Sequence, residues 1–196
     1  SRHNAVQGFG VHLNPETPID EMATCRIILA YALLEDWLRE VDPVDGTRRL
    51  LPFVDPWPRG LTDALVEQDN AKLSGIMATY AQHTKSRNHG LDLLPLFKQE
   101  DENRFAALFG SGRGGETSAR PAFHFRLPDC RIDERDWSLS TPWRTWALVE
   151  ALAQDANSLD AVRNAWLTHR AAIISRRAAW AETVSEIMQQ NGADPA

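Results

Sequence analysis

Four groups of polar side chains fall in stretches without helical pattern: His12, Asn14 and Glu16; Arg48, Arg49 and Asp55; Arg87, Asn88, His89 and Asp92; Arg120, His124, Arg126 and Asp129. Three of the four contain arginine beside a hydrogen-bonding or metal-ligating partner. Arginine is the side chain for a two-pronged grip on carboxylate or phosphate. Histidine, asparagine and carboxylates supply the nitrogen and oxygen ligands of a divalent ion. Two of the groups sit on alternating segments. In Pro121–Leu127, Phe123, Phe125 and Leu127 fall on one face and Ala122, His124 and Arg126 on the other. In Phe9–Asn14, Phe9, Val11 and Leu13 oppose Gly10, His12 and Asn14. Such strands have an oily side and a cationic side. Their polar faces could line a site for an anion or a metal–phosphate complex, or simply face water.

Several simpler chemistries fail on spacing. No Ser or Cys stands in a nucleophile-elbow context. A paired-histidine phosphoesterase wants a hydroxyl two residues after each His, where this chain has Asn14 and Arg126. The glycine-rich Gly110–Ser118 lacks the Gly-Lys-Ser/Thr of a phosphate loop and reads as surface loop. A two-carboxylate mechanism would require Glu16, Asp55, Asp92 or Asp129 to converge, which spacing does not decide.

The elements that must position these groups are mostly helices. Thr17 as N-cap and Pro18 at the first helical position open a helix over 18–40, whose middle, Ile27–Leu34, is apolar almost all round and so is buried on several sides. Arg48–Pro58 has three prolines in its last seven residues and reads as an extended connector. Further helices are predicted over 62–82, 100–109, 141–153 and 158–190, the last opened by Ser158 and running unbroken, with Leu91–Phe97 a short buried strand or extended segment. Trp143, Trp146, Val149 and Leu152 stand at helical spacing in the 141–153 helix. The pattern predicts an α+β fold: a curved, mainly antiparallel sheet of short strands covered by helices.

Composition narrows the classes. A chain of 196 residues with 43% hydrophobic content and seven Trp can bury a core and is not disordered. A net charge of −6 gives no general reason to bind nucleic acid. The longest apolar run is too short to span a bilayer, so no membrane partner is expected. Two cysteines, Cys25 and Cys130, lie outside any metal-type cluster, and the reducing cytoplasm is the default setting. Ser1–Asn4 leads almost straight into a strand, so the reading expects the later part of a longer domain.

Three segments carry a resemblance: Gly8-Phe-Gly-Val-His-Leu-Asn-Pro-Glu16, Ser86-Arg-Asn-His-Gly-Leu-Asp-Leu-Leu-Pro-Leu-Phe97 and Arg120-Pro-Ala-Phe-His-Phe-Arg-Leu-Pro-Asp-Cys130. In this order the chain resembles the amidoligase family, in the glutamine synthetase and glutamate–cysteine ligase superfamily of carboxylate–amine ligases. The resemblance covers residues 1–155, with 156–196 a C-terminal helical extension packed on that domain. It implies a partly closed, glutamine-synthetase-like sheet cradling ATP and magnesium. The implied activity is ATP-driven amide formation through an acyl phosphate, joining small-molecule or peptide carboxylate and amine substrates. By position, Arg126 and His124 would be catalytic. His12, Asn14, Arg87, Asn88, Asp92 and Arg126 would hold the nucleotide, and His12 and His124 the metal. Position 124 is His where many relatives have a metal-binding Glu, and position 92 is Asp where many have Asn. The family's early acidic strand residues are not in this chain, so a missing N-terminal portion, a partner chain or a homo-oligomer would complete the site. Arg126 needs an anion beside it: nucleotide phosphate, or else Asp129 or Asp92.

Overall fold

The computed structural model describes residues 10–46, 48, 54–69, 71–190 and 192. Its element order is α1 (Glu21–Val41), α2 (Arg59–Val66), α3 (Leu73–His83), β1 (Leu91–Asp92), α4 (Leu94–Glu100), α5 (Glu102–Gly114), β2 (His124–Phe125), α6 (Ser140–Gln154), α7 (Ala156–Ala171) and α8 (Arg177–Gln190). The fold is α+β, a short antiparallel sheet covered by helices.

β1 and β2 pair antiparallel, Leu91 opposite Phe125 and Asp92 opposite His124. Isolated bridges widen this ribbon on both sides. Leu13 pairs with Phe125 and Glu16 with Ala122 on one side, and Asp55 pairs with His89 on the other. The register slips by one residue between the Leu13–Phe125 bridge and the Gly10–Asp129 bridge. Pro128, with no N–H to give, lies within that slip, and its carbonyl accepts from Val11 N at 3.0 Å. The alternation read from Pro121–Leu127 is realised. Phe123, Phe125 and Leu127 are buried while Ala122, His124 and Arg126 are only partly so.

α1 is the floor on which everything rests. Ile28, Ala30, Tyr31, Leu33, Leu34 and Leu38 have no exposure at all, in keeping with an apolar middle. Trp146 of α6 packs on Phe123 and Phe125, ring centroids 5.2 and 5.3 Å away. Trp180 of α8 gives its indole N–H to the Leu33 carbonyl at 2.8 Å. Each such buried aromatic contributes about 1.5–3 kcal/mol by leaving water. α1 also carries a buried acid. Glu35 accepts from the Tyr31 hydroxyl (3.0 Å), Arg39 (3.1 Å) and Trp57 N (2.8 Å).

Several boundaries differ from the sequence reading, each for a local reason. The N-cap of α1 is Asp20, whose carboxylate accepts from Met22 N and Ala23 N. Thr17 is drawn into the sheet instead, its N and hydroxyl both donating to the Pro121 carbonyl. The 62–82 segment is two helices, parted by a polar run from Glu67 to Lys72 with little to bury. The 158–190 segment is also two helices, interrupted at Ala172–Arg176, and its cap is Asp155, which accepts from Asn157 N and Ser158 N. Leu91–Phe97 is strand for two residues only. The Asp92 carboxylate then accepts Leu94 N (3.1 Å), and Pro95 sits in the first turn of α4. Gly110–Gly114 belongs to α5, kinked at Gly110, whose φ of 61° favours glycine. Trp143 is 48% exposed and lies outside the buried stripe of α6. Phe9, Arg49 and Pro52 fall outside the described residues.

Candidate active site

The polar face of the paired strands brings His12, Arg87, Asp92, His124 and Arg126 together. Asp92 is its hub. The residue has no exposure, yet its carboxylate is fully engaged. One oxygen takes Leu94 N, and the other takes Arg87 at 3.0 and 3.2 Å, with His124 Nδ1 at 3.5 Å. Burial alone would raise the carboxyl pKa. The hydrogen bond from His124, the Arg87 charge and the Leu94 amide outweigh it and hold Asp92 below the usual carboxylate range.

His12 crosses from the neighbouring strand and meets His124 edge to face, ring centroids 5.1 Å apart. Desolvation comes first and the charges of His124, Arg126 and Arg48 follow in lowering the His12 pKa. Neighbouring cationic groups thus add to burial in disfavouring the protonated ring.

Arg126 finds neither of the carboxylates considered for it. Asp92 is taken by Arg87, and Asp129 by Arg48. One terminal nitrogen of Arg126 donates instead to the carbonyls of Arg87 and His89, the latter at 3.1 Å. Among the described residues no carboxylate lies within ion-pair reach of Arg126, and its Nε is buried without a partner. Burial lowers its pKa, Asp92 opposes that shift and Arg87 adds to it.

Asn88 gives its carbonyl to Asp55 N at 2.8 Å, a sheet contact. Asn14 is exposed on the strand that carries His12. The sequence reading did not assign Arg48 or Asp129 to the site. Arg48, buried, ties down the end of the segment that carries β2, donating to the carbonyls of Arg126 (2.8 Å), Leu127 (3.3 Å) and Pro128 (3.0 Å) and to the Asp129 carboxylate. The signal for it was Gly10. A Cβ there would stand 2.6 Å from an Arg48 nitrogen, so the polar strand face must drop its side chain to admit the guanidinium. Beside Arg48 opens a cavity of about 410 Å3, lined by Asp36, Arg39, Glu40, Asp55 and Arg177.

The groups implied by the resemblance fit unequally. Magnesium wants several oxygen ligands in octahedral array. Asp92, the carboxylate beside the two imidazoles, is already spent on Arg87 and Leu94, and His12 and His124 offer nitrogen. Among the described residues no three of His, Cys, Asp or Glu gather as a metal-binding group. These residues do not fit magnesium. Phosphate fits better, because a guanidinium without a carboxylate stands on a positive face.

The family model described as "Putative amidoligase enzyme" matches residues 1–148. The chain belongs to this amidoligase family, and a ligase-type function follows from that membership. No curated protein and no solved structure matches it. Among the described residues no helix is long and apolar enough to cross a membrane.

Proposed function

We propose that this chain is an ATP-dependent carboxylate–amine ligase, or the C-terminal part of one, whose phosphate-holding surface is the polar face of the paired strands. The observation that carries the reading is Arg126, a half-buried guanidinium on the same strand face as His124 with no carboxylate partner among the described residues. Bound ATP would supply a phosphoryl group to the substrate carboxylate, and an amine would attack the resulting acyl phosphate, releasing phosphate as the amide bond forms. The chain's own residues hold and orient. Arg126 would grip phosphate oxygens, and its anchor on the 87 and 89 carbonyls fixes its direction. His124, backed by Asp92, would present its ring to the same group, and an incoming anion would favour uptake of a solvent proton by His12, which could then donate to it. The cavity beside Arg48 mixes guanidinium and carboxylate linings, which suits substrates that carry both charges, as amino acids and peptides do.

A second reading, a non-catalytic amidoligase-derived binding or assembly domain, is favoured by one observation: the Asp92 carboxylate is saturated by protein partners and free for no metal. ADP release separates the two. The protein is given ATP, magnesium and mixed amino acids or peptides. The ligase reading expects ADP that depends on the acceptor mixture and falls at least tenfold in Arg126→Ala. ATP binding without any ADP release supports the second reading.

A further inference from the structure

The turn between α7 and α8 gathers two arginines and a histidine around one hydroxyl. Ser175 Oγ lies 2.9 Å from His169 Nε2, 3.2 Å from an Arg170 terminal nitrogen and 3.4 Å from an Arg59 terminal nitrogen. That Arg59 nitrogen also donates to the Ser175 carbonyl. Arg177 stands close enough to depress the Arg59 pKa, after burial, together with Arg170. The nearby acids are spoken for. Asp63 takes two nitrogens of Arg170 at 2.9 Å and the Trp166 indole, and Asp36 takes Arg177 at 2.6 Å. Arg59 has no carboxylate within ion-pair reach among the described residues, so three guanidinium groups share two carboxylates, Asp36 and Asp63, which act on Arg59 only at longer range.

We propose that this turn is an oxyanion site, taking a phosphate group against Arg59 and Arg170 beside His169 and Ser175. A phosphate there would neutralise the surplus guanidinium through charge-assisted hydrogen bonds. The donors come from separate segments, which suits the several oxygens of a tetrahedral anion. Arg59 belongs to the stretch matched by the amidoligase family, whereas His169, Arg170 and Ser175 lie beyond it. A phosphate would therefore clamp the C-terminal helices to the family domain. This site is distinct from the strand face and does not depend on the ligase reading.

The test is the melting temperature of the full chain against inorganic phosphate at constant ionic strength, for wild type, Arg59→Ala, Arg59→Lys and Arg126→Ala. Phosphate also stabilises proteins by exclusion from their surfaces, an effect without saturation. The proposal expects a saturable rise in wild type and in Arg126→Ala. In Arg59→Ala the midpoint should move to at least about tenfold higher phosphate, the scale of a lost charge-assisted hydrogen bond. Arg59→Lys should recover part of that loss. The midpoint is read within each variant, so a lower starting stability does not obscure it. A rise without saturation, or a midpoint unchanged in Arg59→Ala, overturns the proposal. A saturable rise lost only in Arg126→Ala assigns the phosphate to the strand face and overturns it equally.

Discussion

At the scale of single residues, Asp92 and Arg126 divide the labour of the site. Asp92 is structural. Replacing it with Asn keeps the volume, loses the charge and leaves Arg87 without its partner. Breaking a fully buried pair costs about 3–5 kcal/mol. Arg87 is one-third exposed, so a loss of roughly 2–3 kcal/mol is expected from chemical denaturation of Asp92→Asn. The pH dependence follows from the depressed carboxyl. The stability it contributes is fully present above about pH 4, the ordinary Asp value, and drains as pH falls through the lowered folded pKa. Wild type should therefore lose stability faster than Asp92→Asn below pH 4, and parallel acid melts would contradict the assignment. Arg126 is expected to behave differently. Its Ala variant gives up hydrogen bonds to two carbonyls, a modest cost of about 1–2 kcal/mol, alongside weaker phosphate binding.

At the scale of elements, the strand and the helix beneath it meet through Gly90. A Cβ there would stand 2.5 Å from the Tyr31 hydroxyl, which is hydrogen-bonded to buried Glu35. Gly90→Ala should melt well below wild type. Tyr31→Phe in the same chain removes the clashing atom, so the double variant should lose less than the sum of the two single losses. Strict additivity in that cycle would rule out the contact. The strand's oily face was legible from alternation alone, because a half-buried strand has period two. The helix breaks at 67–72 and 172–176 were not, since a stripe of apolar residues at three and four spacing continues across a turn whenever both helices face the same core. The Arg48–Asp129 pair was illegible for another reason. Its partners lie 81 residues apart, and only Gly10, with its missing side chain, hinted at the guanidinium that fills the gap. His12, Asp92, His124 and Arg126 could be gathered beforehand through their segments. Which carboxylate serves which arginine could not, because that depends on register across three strands.

At the scale of the whole molecule, the C-terminal helices close the core that α1 begins. Trp180 is buried, lies edge-on to Trp166 at 4.9 Å between ring centroids, and is hydrogen-bonded to Leu33. Trp180→Ala should cost about 3–5 kcal/mol, seen as early unfolding. Its nucleotide affinity below the transition should be unchanged, since its indole packs on Trp166 and His169 and bonds the Leu33 carbonyl. The charges follow the same division of space. The chain carries a net −6, yet the strand face concentrates arginine and histidine. An anionic ligand is thus drawn to that face despite the net negative charge, and its on-rate should fall as salt rises.

The central claim is that Arg126 faces a phosphate. Calorimetric titration with ATP, on wild type, Arg126→Ala and Arg126→Lys at a temperature where all three are folded, tests it most directly. The account predicts binding in wild type that weakens by roughly 1–3 kcal/mol in Arg126→Ala, the scale of a lost hydrogen bond to a charged group. Arg126→Lys should recover only part, because an ammonium cannot reproduce the two-pronged grip. Unchanged ATP affinity in Arg126→Ala would contradict the account and leave Arg126 as a tie between strands.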